Sequence, residues 1–166
     1  MSLIKKLFVL VAVCASGFVW VAAQSSSGAA TALTGQDYGE IENLYARYNQ
    51  GSDFRDAELF LSAFSEDATL VASNGNITQG MPAFRASREE RLKGGLSGDS
   101  GMRHRTGSYL ITPTPEGATG RAYYIVLDVK IKPAVMLFTG YYDDKFVRTA
   151  DGWRIKHRTV NRDVAL

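Results

Sequence analysis

Three side chains stand out for the chemistry they could do together: Tyr48, Asp53 and His104. The phenol and the carboxylate lie where a helix should end, and the imidazole follows at the start of an extended stretch. An imidazole can carry a proton at neutral pH, a carboxylate can orient it, and a phenol can polarise an oxygen. The trio therefore suits proton transfer on a small organic substrate without a metal. Each residue also has a plainer reading. Tyr48 falls on the helical stripe of Ile41, Leu44 and Tyr45, as a core tyrosine would. Asp53 could cap a following helix. His104 alternates with Met102, Thr106, Ser108 and Leu110, a mixed face that suits a cavity lining better than a dry core.

The elements that must position these residues can be read from periodicity and turn chemistry. Thr34-Gly-Gln-Asp37 has the form of a capping box, and the apolar spacing after it predicts a first helix to about Gln50, ended by Gly51-Ser52. A second, short helix is predicted over about Asp56 to Phe64. Thr69 to Ala72 reads as a strand turning at Asn74-Gly75 into Ile77-Thr78. A third helix should start near Met81, with Pro82 in its first turn, and stop at Gly94-Gly95. The glycine-rich stretch from Lys93 to Gly101 is expected to be a mobile loop. Four extended stretches follow, at about 102–112, 120–130, 135–148 and 152–161, and their short connections predict an antiparallel meander. Helices first and a long sheet second give an α+β fold, with three helices against one face of a strongly curved sheet.

The first 23 residues are set aside as a secretory signal. Lys5 and Lys6 precede an apolar run from Leu7 to Ala23 that ends on small residues, which implies export to a periplasm or the medium. Residues 24–33 form a Ser, Gly, Ala and Thr lead into a single domain over 34–166. Removing Lys5 and Lys6 from the 19 basic residues leaves 17 against 17 acidic ones, so nothing draws this chain to nucleic acid or to an anionic membrane. Cys14 is the sole cysteine, so the exported part has no internal disulfide and depends on its hydrophobic core. No P-loop, dinucleotide fingerprint or metal-ligand cluster is evident, and no cofactor is expected. Gly98-Asp99-Ser100-Gly101 echoes a protease nucleophile loop, but both histidines follow the serine and the chain is too short for that fold.

Together, Tyr45-Ala-Arg-Tyr48-Asn-Gln-Gly-Ser-Asp53-Phe-Arg-Asp56, Phe64-Ser-Glu-Asp67-Ala, Gly80, Arg103-His104, Gly140-Tyr-Tyr-Asp143 and Asp151-Gly-Trp153-Arg-Ile155 resemble the SnoaL-like branch of the nuclear transport factor 2 superfamily. The resemblance covers nearly all of the exported chain. It implies an α+β cone with an internal cavity, as in scytalone dehydratase, ketosteroid isomerase and bile acid 7α-dehydratase. It also implies catalytic roles for Tyr48, Asp53 and His104, and substrate contacts from Asp128 on the next strand and Arg158 on the last. Ser108 stands where an Asn often follows the histidine, and it is taken as a third substrate contact. A homodimer is expected through the open sheet face, with Tyr123, Tyr124, Val135, Met136, Leu137 and Phe138 as its apolar surface.

Two functional readings result. One is a cofactor-independent dehydratase or isomerase acting on a small hydrophobic cyclic hydroxy or keto compound. The other is a non-catalytic ligand-binding or dimerising module, because this fold hosts both.

Overall fold

In the computed structural model, residues 30–93 and 98–163 are described. The expected signal segment, and the lead up to residue 29, lie outside the described residues. Thr34 opens the fold with the expected capping box: its hydroxyl accepts from the Asp37 N–H, and the Asp37 carboxylate accepts from the Thr34 N–H at 2.8 Å. Helix α1 then spans Gly35–Asp53, past the expected end near Gln50. Gly51 does not break it. A Cβ there would stand 2.5 Å from the Phe60 backbone nitrogen, so this glycine serves the close approach of α2 (Ala57–Leu61).

Asp56 caps α2, accepting from the Leu59 N–H at 2.9 Å, which leaves Asp53 without a capping duty. The second helix is shorter than its apolar stripe suggested. Phe64 already belongs to strand β1 (Phe64–Val71), because the Ala63 carbonyl is taken by the Ile155 N–H at 2.8 Å. The Asn74-Gly75 turn returns the chain as β2 (Ile77–Gln79), and α3 (Met81–Lys93) follows. Strands β3 (Met102–Thr114), β4 (Gly117–Asp128), β5 (Val135–Thr149) and β6 (Gly152–Arg162) form the expected antiparallel meander. Pro113 stays inside β3, opposite Ala118, which an edge strand tolerates.

The six strands run in the order β2-β1-β6-β5-β4-β3, and β1 joins β6 in parallel, a pairing that local patterns do not reveal. Register shifts in the β3–β4, β4–β5 and β5–β6 ladders bend the sheet without closing it. Ala122, Tyr124, Val126, Tyr142 and Phe146 line its concave face, against Ile41, Leu44 and Tyr45 of α1, Phe60 of α2 and Phe84 of α3. Tyr124 is thus corrected from the dimer surface to the core: it stacks on Tyr142 with centroids 4.6 Å apart and donates to the Asn161 carbonyl at 3.0 Å. Phe138 packs against the same core, whereas Tyr123, Val135, Met136 and Leu137 are exposed.

Candidate functional site

The site begins at the last turn of α1. Asp53 is its final residue and is buried, and its backbone carbonyl accepts from the Ser100 N–H at 2.8 Å. Asp99 accepts from the Gly101 N–H at 2.8 Å and pairs with Arg103, and the Ser100 hydroxyl accepts from the Met102 N–H. Residues 98–101, expected as part of a mobile loop, therefore form a hydrogen-bonded strap that seats the start of β3 on the end of α1. Residues 94–97 lie outside the described residues.

That strap brings His104 onto the Asp53 side chain. One carboxylate oxygen accepts from the His104 backbone N–H at 2.9 Å, and the other lies 2.5 Å from His104 Nδ1. A carboxylate can only accept, so the pair selects the imidazole tautomer with its proton on Nδ1. Nε2 is left as the bare nitrogen and has no hydrogen-bond partner among the described residues. The ring retains 15% of its exposure, enough to meet a small molecule. It forms one wall of a groove of about 210 Å³ between α1 and β3, shared with Asn49, Gln50, Thr106 and Tyr109. Asn49 donates to the Thr106 hydroxyl at 2.7 Å, while its carbonyl oxygen is buried without a partner.

Tyr48 lies on a different flank of α1. Its ring packs on Phe60, Phe64 and Tyr142 and covers the Arg158 guanidinium at 4.4 Å. No contact links it to Asp53 or His104 among the described residues, and its hydroxyl makes no hydrogen bond there. Burial raises the phenol's pKa, against the opposing pull of Arg158, so Tyr48 stays a protonated donor.

The three substrate-contact candidates fare differently. Ser108 is exposed, with φ of 54°, in the irregular part of β3 between Gly107 and Leu110, where the alternation that aligned it with His104 breaks down. Asp128 ends β4 opposite Met102, half-buried, and accepts from the Lys130 N–H at 2.9 Å. Arg158 lies in the core. It exposes no surface, and its fork grips Asp144 with two 2.8 Å hydrogen bonds inside a cage of Tyr45, Tyr48 and Tyr142. This arrangement braces the core, and one guanidinium nitrogen, Nη1, is left without a hydrogen-bond partner among the described residues. His157 contacts the Thr159 hydroxyl at 3.1 Å.

Sequence reasoning missed Asp144 and Arg88. Asp144 had a signal, since it alternates with Tyr142 and Phe146 on one strand face, where a carboxylate needs a buried partner. Arg88, in a charged run with Glu89 and Glu90, carried no such signal. It lies 3.8 Å over the Phe60 ring, with its Nε buried and without a hydrogen-bond partner among the described residues.

Comparisons with known proteins bear on this geometry. None of the curated proteins matches the chain. Among solved structures, a Nostoc punctiforme protein of cystatin-like fold is 24% identical, with a TM-score of 0.70 over 82% of this chain and 98% of its own. An NTF2-like protein from Novosphingobium aromaticivorans is 24% identical, with a TM-score of 0.64 over 76% and 82%. A second protein from that organism, named "Putative Scytalone Dehydratase", is 20% identical, with a TM-score of 0.63 over 78% and 85%. At these identities the likeness is one of fold. The SnoaL-like domain model matches residues 34–159, from the capping threonine into the last strand, and the chain belongs to the SnoaL-like family.

Proposed function

We propose that this protein is a cofactor-independent acid–base enzyme, a dehydratase or isomerase, acting on a small hydrophobic cyclic hydroxy or keto compound. The observation that carries the reading is the 2.5 Å contact between buried Asp53 and His104 Nδ1, which presents Nε2 as a base. The family, which includes polyketide cyclases and dehydratases, is consistent with it.

In the proposed reaction, Nε2 of His104 removes a proton from the carbon beside a carbonyl. The electron pair moves toward the carbonyl oxygen, and a substrate long enough to reach from the His104 groove to the other flank of α1 takes a hydrogen bond there from the Tyr48 hydroxyl. Charged on both nitrogens, the imidazole is held by Asp53. Collapse of the enolate expels a β-hydroxyl, which takes the proton back from Nε2 and leaves as water. Return of the same proton to a different carbon would give isomerisation instead. Each positioned group contributes on the order of 10²- to 10⁴-fold.

A second reading is ligand binding without turnover, and the separation of Tyr48 from the pair favours it over a fully assembled site. His104→Ala decides between them. Loss of turnover on a screened panel of hydroxy ketones, with ligand affinity kept, supports the enzyme. A wild-type protein that binds such compounds and converts none supports the carrier. Pairing of two copies through exposed Tyr123, Met136 and Leu137 belongs to the proposal, and sedimentation of a Tyr123→Asp variant as a monomer would support it.

A further inference from the structure

A second cavity, of about 190 Å³, opens between α2, α3 and the strap that seats β3. Its polar lining is Ser52, Ser100, Arg55, Arg88 and Arg91, with no carboxylate among the described residues, and Ala57, Leu92 and Met102 supply apolar wall. Elsewhere on these elements arginines are answered: Arg85 pairs with Glu58, and Arg103 with Asp99. Arg88 is different. Among the described residues its guanidinium lies 3.8 Å over the Phe60 ring, its Nε is buried without a hydrogen-bond partner, and no ion pair reaches it. Burial and the neighbouring Arg91 together lower its pKa to about 10. A partly desolvated cation beside a second cation is costly unless an anion completes it.

We propose that this cavity takes the carboxylate of an organic acid, gripped by Arg88 and Arg91, with the attached carbon skeleton lying on Leu92 and Met102. A guanidinium fork matches a carboxylate with two parallel hydrogen bonds, and the apolar wall favours an organic anion over a bare inorganic one. The cavity also adjoins the proton-transfer pair. Ser52 directly precedes Asp53, Ser100 donates to the Asp53 carbonyl, and Met102 lies two residues before His104 on the same strand. The inference deepens the proposed function and rests on it in one respect: the acid is the anionic end of the substrate that His104 deprotonates.

The test is equilibrium binding of benzoate and benzamide, followed by NMR, to the wild-type protein and to Arg88→Gln, Arg91→Gln and His104→Ala. Wild type should bind benzoate about tenfold more tightly than benzamide, the size of one charge-assisted contact. Arg88→Gln should abolish that preference. Arg91→Gln, at an exposed position where folding is safe, should reduce it, and His104→Ala should keep it. Equal binding of acid and amide by wild type, no benzoate binding at millimolar concentration, or an undiminished preference in both arginine variants would overturn the site. Inorganic phosphate displacing benzoate at equal concentration would overturn its assignment to an organic acid. Because the readout is binding, its failure is distinct from failure of turnover.

Discussion

Both ends of α1 carry a buried carboxylate, and the donors around the two differ in kind. Asp37, in the first turn, accepts from the Thr34 N–H and hydroxyl, from Trp153 Nε1 at 2.9 Å and from Arg148 at 2.5 Å. None of those donors gives up a proton near neutral pH, so this end is a fixed knot tying α1 to β5 and β6. Asp53, in the last turn, accepts from one backbone N–H and from an imidazole whose other nitrogen has no partner among the described residues. The same acid group fastens the fold where its donors are permanent and orients a base where one donor is an imidazole. Arg158 with Asp144 is a third case, a charge pair sealed in the core between them.

The largest expected effect separates the two ends by activity. Asp53→Asn, which no longer imposes the Nδ1 tautomer, should cut turnover of a responsive hydroxy ketone by about 10²- to 10⁴-fold, with the melting temperature nearly kept. A loss below about threefold would place Asp53 with Asp37 as a structural group. Next in size, Asp144→Ala strands a fully buried guanidinium and should cost about 3–5 kcal/mol in urea unfolding, as breaking a buried pair does. Tyr48→Phe should lower turnover by about ten- to a hundredfold with stability changed by less than about 1 kcal/mol, because the hydroxyl has no hydrogen-bond partner among the described residues to lose. Equal activity of that variant would remove Tyr48 from the chemistry.

The smallest effect concerns pH at the fixed end. The Trp153 hydrogen bond first, then those from Thr34 and the charge of Arg148, hold the Asp37 pKa well below the usual carboxylate range. A depressed folded-state pKa gives stability that is present above the unfolded value near about 3.9 and lost as pH falls through the folded one. Asp37→Asn should therefore lower the melting temperature by a few degrees at pH 7. That gap should persist to about pH 4 and close only in stronger acid. A gap that closes between pH 7 and 5 would contradict the assignment.

Much of this arrangement was legible in the residues, and the failures have physical causes. The capping box, the Asn74-Gly75 turn and the four long strands are local signals, and each stands where its chemistry placed it. Gly51 misled because a glycine that permits close packing looks, in sequence, like one that ends a helix. Ser108 misled because alternation on β3 holds only as far as its irregularity. The meeting of Asp53 with His104 was foreseen from residue types and resemblance; its cause, the strap through Ser100, was hidden in a stretch that looked unstructured. Arg158 and Asp144 had to be seen together, since a lone arginine on a strand gives no hint of a partner on the strand beside it.

The central claim is that Asp53 fixes His104 as a base with Nε2 bare. Nitrogen-15 NMR of the histidine side chains, with the His104 resonances identified through a His104→Gln variant, tests it most directly at a pH where the ring is neutral. The account predicts a protonated Nδ1 and an unprotonated Nε2, reverting toward the ordinary tautomer mixture in Asp53→Ala. A proton found on Nε2 in the wild-type protein, or a tautomer indifferent to Asp53, would contradict it.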